Sequence, residues 1–167
     1  MPFTLFHIGP GLFFGLLLRK HIHPPTFLIA NLIIDLEPII MVFILGLDYP
    51  LHGYAHTFLA AIIIGILLGY TMYILEKYLK PIYSVFLDNI DYAVALKGYI
   101  LAGILGAVLH VLFDSPLYPD IKPFIPLQYN FLYNPSLTDE IYMICMATGL
   151  IGIIYYLFIV MKYKKKP

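Results

Sequence analysis

The chain has 167 residues, 61% hydrophobic and 12% charged, with a mean hydropathy of +0.87. Soluble domains average about 45–50% apolar and about 25% charged, so this composition argues against a soluble globular protein. Ten basic and ten acidic residues leave no net charge, which argues against nucleic acid as a partner.

The apolar residues fall in long runs, and a helix needs about 20 residues to cross the hydrocarbon core. The chain therefore reads as an all-α, polytopic membrane bundle of about five transmembrane helices in one integral membrane domain, 1–167. The first expected span is 2–18, a short one with Gly9-Pro10-Gly11 inside it. The second is 26–47, interrupted by Asp35, Glu37 and Pro38. The third is 56–75, the fourth 98–113 and the fifth 141–161. Between the third and fourth, Pro81–Leu96 is apolar but carries Asp88 and Asp91. It reads as an interfacial or re-entrant piece. Residues 115–140 hold five prolines and many aromatics and read as an ordered outer loop over the site end, in the position of a lid. No internal repeat is visible. The start, MPFTLFHIGPG, lacks the basic and small-residue signature of a cleaved signal peptide. The single cysteine, Cys145, allows no disulfide within the chain.

Basic residues set the expected orientation. Arg19 and Lys20 follow span one, Lys77, Lys80 and Lys97 lie between spans three and four, and Lys162, Lys164, Lys165 and Lys166 form the tail. That puts nine of ten on one side, with only Lys122 on the other. Cytoplasmic loops carry the Lys/Arg excess. The N-terminus is therefore expected outside and the C-terminus in the cytoplasm, in a multi-pass protein of the cell membrane with the lipid bilayer as its partner.

Against this background His7, Asp35, Glu37, His56, His110 and Asp114 stand out. Ionisable groups are costly in hydrocarbon and mark sites when they occur there. His110 and Asp114 are four apart and share one helix face. Asp35 and Glu37 lie within a span, with no Lys or Arg at that depth to neutralise them. A metal, histidines or protonation must do so. The predicted topology gathers all six in the outer half or at the midplane. Three imidazoles and two or three carboxylates form a mixed N/O donor set that suits divalent first-row metals. It is large enough for two ions bridged by a carboxylate. His52 has the same spacing to His56 but follows a loop, and Thr57 is placed to cap or orient. His21 and His23, beside Arg19 and Lys20, are expected to be solvated. The glycines at 65, 69, 103, 106, 149 and 152 read as helix-packing positions.

The order His7, Asp35-Leu-Glu37, His56-Thr57, His110-x-x-x-Asp114, with the opening Pro2-Phe3-Thr4, resembles the YdjM-type membrane-bound, metal-dependent hydrolases. That family is in turn similar, by ligand order, to zinc-dependent phospholipase C and the fungal zinc nucleases. The resemblance implies His7, Asp35, His56, His110 and Asp114 as ligands of one or two divalent metals, zinc in the first place, with manganese or iron as alternatives. It implies that Asp114 bridges, so that Asp114 and Glu37 form the catalytic pair, Glu37 being either a general base or a group behind the ligands. The implied reaction is hydrolysis of a phosphoester in a lipid or lipid-linked substrate. Ile34 stands where the family has proline, and Leu51-His52-Gly53 replaces its His-Arg-Gly. The arginine clamp is therefore missing, and Lys122 is the nearby cation. Further metal ligands of the soluble relatives have no match, so at most two metals are expected. Two other readings use the same residues. One is a metal-ion or proton transporter, which would need polar residues in the inner half as well. The other is a non-catalytic structural membrane protein with a degenerate metal site.

Overall fold

The computed structural model describes residues 4–46, 50–87, 90–92 and 95–164, and every regular element among them is helical. The helices are α1 (Thr4–Leu17), α2 (Pro24–Ile33), α3 (Leu36–Leu45), α4 (Phe58–Leu87), α5 (Leu96–Asp114) and α6 (Thr138–Lys164). Single 3₁₀ turns at Tyr54–His56 and Pro135–Leu137 precede α4 and α6.

Four stretches are long and apolar enough to cross a membrane: Pro24–Leu45, Phe58–Leu87, Leu96–Asp114 and Pro135–Lys162. The remaining expected span, the first, is shorter than 2–18 as described. Its described helix, α1, has 14 residues and rises about 21 Å, less than the roughly 30 Å hydrocarbon core. The outer surface supports a membrane setting. Phe43 is 85% exposed and Val85 78%, and large apolar side chains cover the outward faces of α3, α4 and α6. Water would penalise such a surface, whereas lipid solvates it.

Glycines let the helix backbones meet. A Cβ added at Gly65 would lie 2.5 Å from the Gly103 carbonyl oxygen, and one at Gly69 2.5 Å from that of Tyr99. No side chain fits between α4 and α5 along this seam. The paired positions show that α4 and α5 run antiparallel. Gly106 packs in the same way on the α2 backbone at Phe27, and Gly9 of α1 on Cys145 of α6. The packing role expected of the glycines holds at these positions.

Three boundaries differ from expectation. The span 26–47 is two helices, because the chain turns at Ile34–Asp35 and restarts at Leu36. Pro38 sits in the first turn of α3, where a missing N–H costs nothing. Leu47 lies outside the described residues. Helix α4 runs on past 75 through Pro81 to Leu87, so 81–87 continues a helix and is not a separate interfacial or re-entrant piece. The run stays apolar past Pro81, which removes only one helical hydrogen bond. Asp88 lies outside the described residues, and Asp91 is exposed. Finally, His56 precedes α4 instead of opening it. Thr57 Oγ1 accepts from Ala60 N at 3.1 Å and caps the helix that follows.

The segment after α5 is tied down. Asn130 Nδ2 donates to Ser115 O (2.7 Å), Asn134 N to Pro116 O (3.0 Å) and Phe58 N to Pro123 O (2.9 Å). Helix α6 then begins at Thr138, so the last residues of the expected 115–140 loop are helical.

Candidate metal centre

Four side chains from three places in the chain converge. Asp35 comes from the turn between α2 and α3, His56 from the 3₁₀ turn before α4, and His110 and Asp114 from the last turns of α5. All four are 0–2% exposed, and one ligand atom from each lies within 4.8 Å of all the others. His110 Nε2 is 3.3 Å from Asp114 Oδ2, 3.4 Å from Asp35 Oδ1 and 3.4 Å from His56 Nε2. His56 Nε2 is 3.8 Å from Asp114 Oδ2 and 4.0 Å from Asp35 Oδ1. A tetrahedral ion with bonds of about 2.05 Å requires ligand–ligand edges of about 3.3 Å. The three separations at His110 Nε2 match that requirement closely, and the two from His56 Nε2, at 3.8 and 4.0 Å, are wider by about half an ångström or a little more.

The far side of each ring fixes its tautomer. His110 Nδ1 lies 2.8 Å from the Asn31 carbonyl oxygen, which can only accept, so Nδ1 donates. His56 Nδ1 lies 2.9 Å from Glu37 Oε2 and donates likewise. In the neutral rings each Nε2 is then a lone pair. Two carboxylate oxygens and two imidazole lone pairs face one another in a buried space. Two N–H groups at the 3.4 Å His56–His110 separation would oppose each other, so at most one of the two Nε2 atoms carries a proton. One divalent cation satisfies all four atoms. The donor set and the geometry fit a metal, and these four residues can hold one.

Glu37 does not join the cluster. Its carboxylate accepts from Gly53 N (2.9 Å), Ala55 N (3.0 Å) and the His56 ring. It therefore fixes the 53–56 turn and aims His56, as partners behind metal-bound histidines do. His7 lies beside the cluster. Its Nε2 is 3.0 Å from Asp114 Oδ1, and its ring stacks on His110 with centroids 4.0 Å apart. Asp114 thus turns one oxygen to the four-residue cluster and the other to His7.

Asn31 and Asp120 carry contacts that the sequence reading did not single out. Asn31, fully buried, donates from Nδ2 to the His7 carbonyl (2.7 Å) while its own carbonyl takes the His110 proton. It joins α1, α2 and α5 at one point. Its signal was an Asn in an apolar run, one helical turn before Asp35. Asp120 holds His52: the ring Nδ1 is 3.0 Å from both carboxylate oxygens, and the Leu51 and His52 amides donate to Oδ2 at 3.1 Å. Burial alone would raise the Asp120 carboxyl, but the His52 ring and backbone hold it down at about 2. His52 is therefore buried next to the cluster, its ring 4.6 Å from that of His56, without belonging to it.

The expectation for His23 was wrong. His21 is exposed, but His23 is fully buried at the opposite end of the bundle. Its Nδ1 is 2.8 Å from Thr26 Oγ1, its ring stacks on Tyr99 at 4.0 Å, and Nε2 is 3.7 Å from Glu76, which also accepts from Tyr83. Polar residues thus do occur in that half. The Gly65–Gly103 and Gly69–Tyr99 seam separates the two clusters. The chain matches no family model, no curated protein and no solved structure.

Proposed function

We propose that the protein is a membrane-embedded, metal-dependent hydrolase of a phosphoester in a lipid or lipid-linked substrate, with its site opening to the outer leaflet. The convergence of Asp35, His56, His110 and Asp114 on one point, with both Nδ1 protons committed elsewhere, carries this reading. The resemblance to YdjM-type hydrolases adds the reaction type. The nine-to-one division of basic residues supports the orientation.

A divalent ion held there supplies acidified water and charge stabilisation at the phosphoryl oxygens. The protein's own residues do the rest. Glu37 and the Asn31 carbonyl hold the two rings in the ligating tautomer. His7, against Asp114 Oδ1, keeps that carboxylate turned toward the cluster and stands where a proton can be passed to or from Asp114. The apolar walls around the cluster exclude bulk water and strengthen each electrostatic interaction. The closed α4–α5 seam favours this reading over a transporter, which would need a polar path from the cluster to His23 and Glu76.

The test is hydrolysis of a panel of phosphoester lipids by the detergent-purified protein supplied with zinc, manganese or iron. Turnover of at least one substrate, abolished in Asp35→Asn and His110→Ala, is expected. Metal-loaded protein that cleaves none of them overturns the proposal.

A further inference from the structure

Beside the candidate centre, between the 50–54 turn and the 120–128 segment, is a cavity of about 300 Å³ lined by His52, Tyr54, Asp120, Lys122, Ile125 and Gln128. His52 is its wall toward the metal ligands, edge-on to His56. Lys122 is the only basic residue between Lys97 and Lys162, hence the only cation on this side of the predicted topology. Its Nζ donates to the neutral Gln128 Oε1 at 2.8 Å, and among the described residues it has no carboxylate partner. Asp120, the cavity's one carboxylate, is committed on both oxygens to His52 and the backbone. Lys122 thus has no carboxylate partner among the described residues, while the ionised Asp120 is turned toward His52 and the 51–52 amides. His52 is 95% buried, and its Nε2 has no hydrogen-bond partner. Tyr54, Tyr129 and Phe131, each 65–78% exposed, mark this level as the membrane interface, where amphipathic rings and lipid headgroups lie.

We propose that this cavity binds the phosphate of a lipid headgroup, with Lys122 as counter-ion and Gln128 as hydrogen-bond partner, presenting the ester to the neighbouring centre. The inference rests on the hydrolase reading for its substrate and names the group that recognises it. An ammonium at this site replaces the bidentate clamp an arginine would give, so recognition is by point charge.

Calorimetric titration of the detergent-purified full chain tests it. One arm uses inorganic phosphate, the other dihexanoyl phosphatidic acid, each with metal-loaded and chelator-treated protein. Lys122 is exposed, so Lys122→Ala leaves the fold intact. Binding in both arms is expected to weaken at least tenfold in Lys122→Ala and to stay unchanged in Lys80→Ala, with the phosphatidic acid binding tighter. Wild-type affinity in Lys122→Ala, or no binding by the wild type, overturns the proposal; tighter binding of free phosphate than of the lipid overturns the lipid assignment. Lys122-dependent binding by protein that takes up no metal would sustain the cavity while the hydrolase reading fails. Hydrolysis with phosphate binding indifferent to Lys122 would do the reverse.

Discussion

His110 is held on every side of its ring. Its Nδ1 meets a backbone carbonyl of α2, its ring is stacked by His7, and its Nε2 faces two carboxylates and a second imidazole. Its behaviour depends on the Asn31 carbonyl, as that of His56 depends on Glu37, because a ring free to choose its tautomer binds metal poorly. Glu37→Gln keeps an acceptor but loses the charge that favours the Nδ1 proton of His56. Metal affinity, measured by chelator competition, is expected to fall about 10–100-fold with the helical content unchanged, and an unchanged affinity would deny Glu37 its positioning role. The four clustered residues were legible in the sequence because each is costly in an apolar run, and His7, expected among the ligands, stands beside them. Asn31 and Asp120 were not legible, since a buried amide and a loop carboxylate acquire a role only from partners distant in the chain. His23 was misread for a related reason. Its neighbours Arg19 and Lys20 suggest solvent, but the chain turns back and seats the ring on Tyr99 of α5.

At the scale of elements, the four residues that could hold a metal are placed by helix ends and breaks. The turn at Asp35 brings a carboxylate out of the middle of a span, and the 3₁₀ turn at Tyr54–His56 delivers an imidazole just before α4 starts. Both depend on how closely α4 and α5 approach. Gly103 lies seven residues before His110, about 10 Å along the helix, so Gly103→Leu should act on the site only through packing. Its side chain would strike the backbone at Gly65, force the helices apart, lower the thermal midpoint and reduce bound metal together. Normal metal content in a folded Gly103→Leu protein would show that the seam does not set the site. Four of the five spans were readable from hydropathy, and Asp35, Glu37 and Pro38 marked the interruption of the second. The extension of α4 through Pro81 was not, because a proline signal does not say whether neighbouring helices accommodate it.

For the whole molecule, His7, His56, Asp114 and the start of α6 lie at one end of the bundle and the His23–Glu76 cluster at the other. The charge pattern of the sequence assigns the first end to the outside. In a Cys145→Ala background, Ser136→Cys should react with a membrane-impermeant maleimide added to intact cells, and Lys77→Cys should not. The opposite pattern would invert the topology and turn the site to the cytoplasm. Asp35, His56, His110 and Asp114 are proposed to surround a metal ion. That proposal is tested most directly by elemental analysis of protein purified in detergent without chelators. The account predicts about one zinc, manganese or iron per chain in the wild type, rising to two at most if His7 and Asp114 complete a second site, and loss of the ion in His56→Ala and His110→Ala. Wild-type protein that holds no such metal after supplementation and gel filtration would contradict it.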